Sequence, residues 1–228
     1  MIKISELQHI PIFSSASPDT LRRICECASL KLYPRGSILF RERDEVQAFY
    51  FLSKGIASLY KMNQAHDNKV IFLCSAGSMI NEVMICGNSA SISCRALTDL
   101  KVIVIPKARF RQLLAEDAGL SEAVMCSMAM KIRKLYRQMK NTTNTFTLEK
   151  QIAAKLWKLS RDYGIVRDGG VEIDFDLSIS FLAEMVGAKR ETVSRQVKAL
   201  TNRGLIDVHK KRFFIKDRER LKNFIHET

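Results

Sequence analysis

The stretch 178–205 constrains the fold of this 228-residue chain more than any other. Apolar residues recur at helical spacing in each half of it, and Gly187 separates the halves. Ser178 is a typical N-cap residue, and Gly204 follows the second half where a helix would stop. The stretch therefore predicts two short helices joined by a tight turn. The first helix carries the apolar residues Leu182, Met185 and Val186, and the second carries Val193, Val197 and Leu200.

The second predicted helix turns a polar face outward. That face carries Arg190, Glu191, Ser194, Arg195 and Lys198. Cations with one carboxylate and one hydroxyl suit the reading of base edges in the major groove of DNA. We therefore predict a helix-turn-helix that binds DNA.

The charge of the chain supports a polyanionic partner. The formal net charge is +13, and the isoelectric point is about 9.6. Twelve Lys and Arg but only four Asp and Glu lie between Lys189 and Lys222, around the second predicted helix. The alternative is a solvated basic surface without a partner.

Residues 32–105 change to short apolar runs that alternate with turn signals. The candidate strands are 37–40, 48–52, 56–60, 69–73, 91–94 and 101–105. Many short strands with this punctuation predict a small β-barrel, or double-sheet roll. Such a barrel either encloses a small ligand or is filled by its own side chains. Residues 4–31, ahead of it, are predicted to form short helical pieces.

A long helix is predicted from about residue 120 to 139. Its apolar residues are spaced 3, 4, 3, 4, as in a coiled-coil seam: Met125, Met128, Ile132, Leu135 and Met139. We predict a homodimer through this seam, because two copies of one reading helix can then contact two half-sites. The alternative is a core helix packed on its own barrel.

The remaining patterns complete an α+β fold. A hinge is predicted at 141–144, a helix at 148–162, a short strand at 173–175, a hairpin wing at 205–216 and a helix at 217–225. The predicted domains are an effector-sensing β-barrel domain at 1–117, a dimerisation helix and hinge at 118–144, and a winged helix-turn-helix domain at 145–228.

Other functional classes find no support in the sequence. The six cysteines show no disulfide or zinc spacing, which predicts free thiols in a reducing compartment. No apolar run could span a bilayer, and the N-terminus lacks a secretory signal, so we expect a cytoplasmic protein without a membrane partner. Phosphate loops and hydrolase motifs are also missing, so we do not expect an enzyme.

Four motifs together resemble one known family. They are P-R-G-S-I-L-F at 34–40, F-Y-F-L-x-x-G at 49–55, G-S-M-I-N-E at 77–82 and L-A-E-M-V-G-A-K-R-E-T-V-S-R at 182–195. The chain resembles the bacterial CRP/FNR regulators, typified by the cyclic AMP receptor protein and the fumarate–nitrate reductase regulator. The resemblance implies a cyclic-nucleotide-binding-type barrel and a homodimeric transcription factor, with double-stranded DNA and RNA polymerase as partners.

The resemblance also assigns roles on the reading helix. The base-reading set of the receptor-protein branch is matched by Arg190, Glu191 and Arg195. The set of the fumarate–nitrate branch is matched by Glu191, Ser194 and Arg195. The resemblance implies a pseudo-palindromic site with TGA-like half-sites. We predict phosphate contacts from these basic residues: Lys189, Lys198, Lys210, Lys211 and Arg212. Lys189 stands where the family often has a capping Ser, and a Lys cannot cap.

The effector end departs from the family pattern. Glu82 matches the residue that holds the ribose of cyclic AMP, but Ala90 stands at the phosphate position, and the next arginine is Arg95. Burying a phosphate without a cation is costly, so we do not expect cyclic AMP to bind. Arg43 also replaces a turn glycine of the barrel.

Other cofactors are no better supported by the sequence. An N-terminal cysteine cluster is missing, since Cys25 and Cys27 lie within predicted helices, so we do not expect an iron–sulfur cluster. Haem would need an axial ligand, and the four histidines are His9, His66, His209 and His226. An organic or lipid-like effector, thiol modification and control by abundance all remain open.

A second interpretation of the whole chain competes with DNA binding. In it, the protein is a ligand-sensing scaffold whose winged helix contacts another protein and leaves its basic face unused. The basic face and the R-E-T-V-S-R run at 190–195 favour DNA binding. Steep loss of affinity with rising salt would distinguish the two.

Overall fold

A computed structural model describes residues 2–63, 67–87, 89–142 and 146–227. It divides into two compact units, Met1–Lys61 with Ile71–Thr143 and Met62–Val70 with Asn144–Thr228. A β-roll, a long helix and a winged helix-turn-helix follow one another, which confirms the predicted α+β fold class. Residues 143 and 144 of the predicted hinge, and His66, lie outside the described residues.

In its described residues, the N-terminal part contains two α-helices and seven strands. In chain order they are α1 (Ile4–Leu7), a 3₁₀ turn (Pro11–Ser15), α2 (Pro18–Cys27), β1 (Ser29–Tyr33), β2 (Ile38–Phe40), β3 (Ala48–Lys54), β4 (Ile56–Met62), β5 (Asn68–Ser75), a second 3₁₀ turn (Glu82–Cys86), β6 (Ser93–Ala96) and β7 (Leu100–Pro106). The strands form two sheets, in the orders β1-β7-β3 and β2-β6-β4-β5.

The core of the roll lies between the two sheets, as side-chain alternation requires. Ala57 and Leu59 of β4 are paired with Ala96 and Cys94 of β6, and all four are buried in the main hydrophobic cluster. Two aromatic side chains also belong to this cluster, Phe13 of the first 3₁₀ turn and Phe51 of β3. Their ring centroids lie 4.8 Å apart. Side chains of the protein thus fill this part of the roll.

The prediction of helical structure up to residue 31 was wrong at its end, because β1 begins at Ser29. Four of the five residues of β1 are exposed, so no buried face marks this strand. Antiparallel pairing with β7, from Ser29 opposite Val104 to Tyr33 opposite Leu100, supplies the strand instead.

Two helices follow the roll, α3 (Lys107–Glu116) and α4 (Ala118–Thr142). Leu120 and Val124 of α4 are buried against the core of the roll, whereas much of the rest of the helix is exposed. Among the described residues, no helix combines the length and the apolar character that a membrane span requires.

The second unit holds the predicted winged helix-turn-helix. Its elements are α5 (Leu148–Tyr163), β8 (Gly164–Arg167), β9 (Gly170–Ile173), α6 (Ile179–Val186), α7 (Arg190–Asn202), β10 (Ile206–His209), β11 (Arg212–Ile215) and α8 (Arg218–His226). The strands form one sheet in the order β10-β11-β9-β8. The strand predicted at 173–175 lies earlier, at Gly170–Ile173, and its hairpin partner β8 was missed.

Candidate functional site

The turn between α6 and α7 is built as the sequence predicts. The Ser178 hydroxyl caps α6 by accepting a hydrogen bond from the Phe181 N–H at 3.0 Å. Gly187 ends that helix in the left-handed region, with φ of 74°, and its N–H donates to the Ala183 carbonyl. Glycine adopts this conformation without the steric cost that a side chain would add.

Helix α7 has one buried and one exposed face. Val193, Val197 and Leu200 are buried, as the spacing predicted. The opposite face exposes the predicted base-reading residues and one lysine: Arg190, Glu191, Ser194, Arg195 and Lys198. In the described ranges, no ion pair holds any charged side chain of this face. These groups are therefore available to an external partner.

Three other predicted phosphate-contacting lysines are also exposed. Lys189 occupies the N-cap of α7 without a side-chain hydrogen bond to the helix, as predicted. Lys210 and Lys211 form the two-residue turn of the wing between β10 and β11. Lys210 has φ of 59°, in the left-handed region that glycine prefers.

Arg212, the fifth predicted phosphate contact, has partners that the sequence prediction did not include. Its guanidinium lies within 3.6 Å of three carboxylates, which belong to Glu172, Asp174 and Asp176. The segment that carries them lies more than 30 residues before Arg212, so only tertiary structure brings them together.

Glu82, the predicted ribose-binding residue, is fully buried and paired with Lys131 of α4. Oε2 lies 2.5 Å from the Lys131 ammonium, and Oε1 accepts a hydrogen bond from the Ser127 hydroxyl at 3.1 Å. The ammonium also donates to the carbonyls of Met79 and Ile80. Both carboxylate oxygens of Glu82 are thus already engaged by α4.

The other two predicted effector residues do not form an anion site with Glu82. Ala90 is buried in the hydrophobic cluster and presents no polar side chain. Arg95 donates to the Ser58 hydroxyl at 3.3 Å and lies over the ring of Tyr60. It follows Cys94, whose side chain points into the core, so Arg95 lies on the other face of β6. Ala90 therefore adds no anion-binding side chain, and Arg95 is engaged by Ser58 and Tyr60.

The predicted seam residues mostly lie on the surface of α4. Met125, Ile132, Leu135 and Met139 are between 38% and 66% exposed, and Met128 packs partly against the core. Tyr136, which is not one of the predicted seam residues, is 66% exposed on the same stripe. The single chain therefore leaves an apolar stripe uncovered.

Burial disfavours the thiolate form of four cysteines. Cys74 and Cys94 are buried, and this burial raises the pKa of each thiol, well above the usual value for Cys94. Cys25 and Cys27 belong to α2, with Cys25 buried, and burial raises the pKa of both. Cys86 and Cys126 are exposed.

Two protein-family models match the two parts of this architecture. The cyclic nucleotide-binding domain matches residues 30–117, and the Crp-like helix-turn-helix domain matches residues 150–224. The second match contains the whole α6–α7 pair and the wing. The first contains Glu82, Ala90 and Arg95.

Curated relatives cover nearly the same length. A CRP-like cAMP-activated global transcriptional regulator of Mycobacterium tuberculosis is 22% identical, over 92% of this chain and 94% of that protein. A global nitrogen regulator of Nostoc is 25% identical, over 82% of this chain and 84% of that protein.

Solved structures share the fold. The c-di-GMP-responsive global regulator CLP of Xanthomonas campestris has a TM-score of 0.78, at 20% identity, over 88% of this chain and all of that one. A CRP/FNR regulator of Thermus thermophilus has a TM-score of 0.73, at 19% identity, over 87% of this chain and 99% of that one. With a cyclic nucleotide-binding domain followed by a Crp-like helix-turn-helix domain, the chain belongs to the CRP/FNR family of DNA-binding transcription regulators.

Proposed function

We propose that this regulator binds a pseudo-palindromic DNA site with TGA-like half-sites as a homodimer, and that its effector is not cyclic AMP. The exposed face of α7 carries the proposal, because its charged groups have no ion-pair partner among the described residues while the opposite face anchors the helix. Arg190 and Arg195 can each grip guanine through two hydrogen bonds, and Glu191 can accept one from cytosine. Each good contact contributes about 1–3 kcal/mol of base discrimination.

Phosphate contacts hold the reading helix in register. Lys198 lies on the reading face itself, and Lys189 stands at the helix N-terminus, where unpaired backbone N–H groups also favour an anion. Lys210 and Lys211 extend this basic surface onto the wing. Arg212, in contrast to these lysines, is already paired with three carboxylates.

The apolar stripe on α4 supports a homodimer. Spacing of 3 and 4 residues along one exposed stripe is the pattern by which two helices bury each other. In the proposed arrangement, residues 1–117 sense an effector, residues 118–144 dimerise and link, and residues 145–228 bind DNA. RNA polymerase is then a further partner, and the cytoplasm is the compartment in which these partners meet.

The pairing of Glu82 argues against cyclic AMP as effector. A ribose could reach this carboxylate only by displacing Lys131 and Ser127. That displacement would leave the fully buried Glu82 carboxylate without its cation, which costs several kcal/mol. Ala90 offers no compensating charge to the phosphate of the nucleotide.

Selection of duplexes from a random pool by the full-length protein tests this proposal. We expect an inverted repeat, and we expect the affinity for it to fall steeply between about 50 and 200 mM salt. Millimolar cyclic AMP should leave that affinity unchanged. Enrichment of no duplex would refute DNA binding, and a strong response to cyclic AMP would refute the effector assignment.

The variant Glu191→Ala tests the assignment of the base-reading residues. Loss of the carboxylate removes the acceptor for cytosine, so the same selection should return a motif relaxed at one base pair of each half-site. Lys198→Ala is the matched control, since loss of a phosphate contact should weaken binding to all sequences alike. An unchanged motif for Glu191→Ala would show that this residue does not read a base.

A further inference from the structure

The wing contains a charge cluster that the proposed DNA contacts do not use. Arg212 begins β11, and its guanidinium lies among three carboxylates. Nη1 is 3.2 Å from Oδ1 of Asp174 and 3.6 Å from Oε1 of Glu172, and Nε is 3.3 Å from Oδ1 of Asp176. The same Nη1 also donates to the carbonyl of Ile173 at 3.4 Å.

This cluster is a poor site for a phosphate. A second guanidinium, that of Arg167, also pairs with Glu172 at 3.4 Å, so three carboxylates face two cations and leave a local excess of one negative charge. A phosphate would have to displace groups that already lie within 3.6 Å, and it would approach against their charge. Lys210 and Lys211, on the same wing, have neither obstacle in the described part of the chain.

The cluster joins two segments whose relative position matters for reading DNA. Arg212 directly follows the wing turn with its two lysines, and Asp176 lies just before the N-terminus of α6. A backbone hydrogen bond from the Leu177 N–H to the Lys211 carbonyl, 2.8 Å long, connects the same segments. Glu172, Asp176 and the wing residues line one surface cavity of about 710 Å³.

We propose that Arg212 is a positioning residue, which holds the wing against the segment entering α6 so that the wing lysines and α7 engage one duplex together. The proposal rests on the proposed DNA binding, since a positioned lysine matters only where it meets phosphate. A guanidinium is required because its planar, forked donors can serve several carboxylates at once, which an ammonium does less well.

Binding of the full-length protein to the selected duplex tests the role of the fork. Arg212→Gln and Arg212→Lys should each lose about tenfold in affinity, equivalent to 1.4 kcal/mol, because lysine restores charge but not the fork. Lys211→Gln is the control for a phosphate contact, and its slope of log K against log salt should fall by about 1. Wild-type affinity and slope in Arg212→Lys would overturn the proposal.

Removal of the three negative charges gives a second test, in which a simple charge effect and the positioning role predict different changes in DNA binding. The triple variant Glu172→Gln, Asp174→Asn, Asp176→Asn makes the domain more basic, so charge alone would tighten binding to any duplex. We expect instead that preference for the selected duplex over a scrambled one falls by about tenfold, because Arg212 loses its anchors. Tighter binding to both duplexes alike would overturn the proposal.

Hydrogen–deuterium exchange of the free protein provides a test of the positioning role that does not depend on DNA. Arg212→Gln should accelerate exchange of the Leu177 amide and of β10–β11, whereas Lys211→Gln should not. If the wild type binds no duplex, the proposed function fails, yet accelerated exchange would still support the positioning role. Unchanged exchange in Arg212→Gln would overturn that role.

Discussion

At the scale of single residues, partners decide what an arginine can do. Arg190 and Arg195 are exposed on α7, with no ion pair among the described residues, so their forks can meet guanine. Arg212 has the same chemistry, but three carboxylates hold it within the fold. Residue type alone therefore does not separate a DNA ligand from a structural cross-link.

Among the described residues, two that are not glycine have a positive φ, Arg43 at 73° and Lys210 at 59°. The left-handed region costs an ordinary side chain roughly 1 kcal/mol, so each residue keeps some strain in its turn. For Arg43, this bears out the view that it replaces a turn glycine of the roll. For Lys210, the strained position is the turn of the wing, where an ammonium is useful to a DNA-binding protein.

Replacement of each residue by glycine separates strain from function. Lys210→Gly should raise the free energy of unfolding by about 0.5–1 kcal/mol, and lower the salt slope of DNA binding by about 1. Arg43→Gly is the matched control, with a similar gain in stability and unchanged DNA binding. Urea unfolding and salt-dependent gel shifts measure the two effects. A gain in DNA affinity for Lys210→Gly would contradict the proposed contact.

At the scale of elements, one carboxylate joins the N-termini of two helices. Asp117 accepts hydrogen bonds from the Leu120 N–H of α4 and from the Ser17 N–H at the N-cap of α2, both at 2.9 Å. Its burial opposes ionisation, but the donors of Leu120, Ser17 and Thr20 outweigh this and lower the pKa from 3.8 to about 2. The ionised form is therefore bound more favourably in the folded state than in the unfolded one.

This shift predicts how stability depends on pH. Because the pKa is depressed, the contribution of Asp117, about 2 kcal/mol, is complete above pH 3.8 and is lost as pH falls through about 2. Asp117→Asn should lower the free energy of unfolding by about 2 kcal/mol at pH 6, and this loss relative to the wild type should be smaller near pH 3. Urea unfolding at both values measures this. Asp19→Asn, an exposed acid on α2, is the control. A deficit that stays constant with pH would contradict the assignment.

Helix α4 shows how one element can serve two surfaces. One side packs Leu120 and Val124 into the roll and pairs Lys131 with the buried Glu82. The other side exposes the apolar stripe that contains Ile132 and Leu135. The sequence offered two alternatives for this helix, a dimer seam and a core helix packed on its own barrel. Neither describes α4 fully, because the helix packs on its own roll and still leaves an exposed stripe for a partner.

At the scale of the whole molecule, the exposed stripe predicts the effect of breaking a dimer. Ile132→Lys would place like charges across the proposed seam, so we expect monomers at micromolar concentration and at least about a hundredfold weaker DNA binding. The melting temperature of the monomer should change little, because Ile132 is 46% exposed in the single chain. Light scattering and gel shifts measure these outcomes.

Met130→Lys is the matched control for that variant. It places the same charge on the same helix at an apolar residue that is 56% exposed but lies off the predicted seam. We expect it to remain a dimer and to bind DNA normally. If both variants dissociate, or neither does, α4 does not dimerise through the stripe from Met125 to Met139.

Several features were predictable because their signals are local. Ser178 and Gly187 bound α6 through backbone chemistry that a few residues encode, and the exposed face of α7 follows from helical periodicity. The strand β1 was not predictable in this way, since pairing with β7 produces it. The same holds for the partners of Arg212 and Glu82, which lie about 40 and 50 residues away.

The sequence by itself determined the order of a β-roll, a long helix and a winged helix-turn-helix, together with the outward face of α7. Short-range periodicity, capping and turn chemistry suffice for these features. Only the tertiary structure decided that Lys131 and Ser127 occupy the Glu82 carboxylate, and that three carboxylates hold Arg212. Pairing of a charge depends on which distant segment folding brings within a few ångströms, and no local pattern encodes that distance.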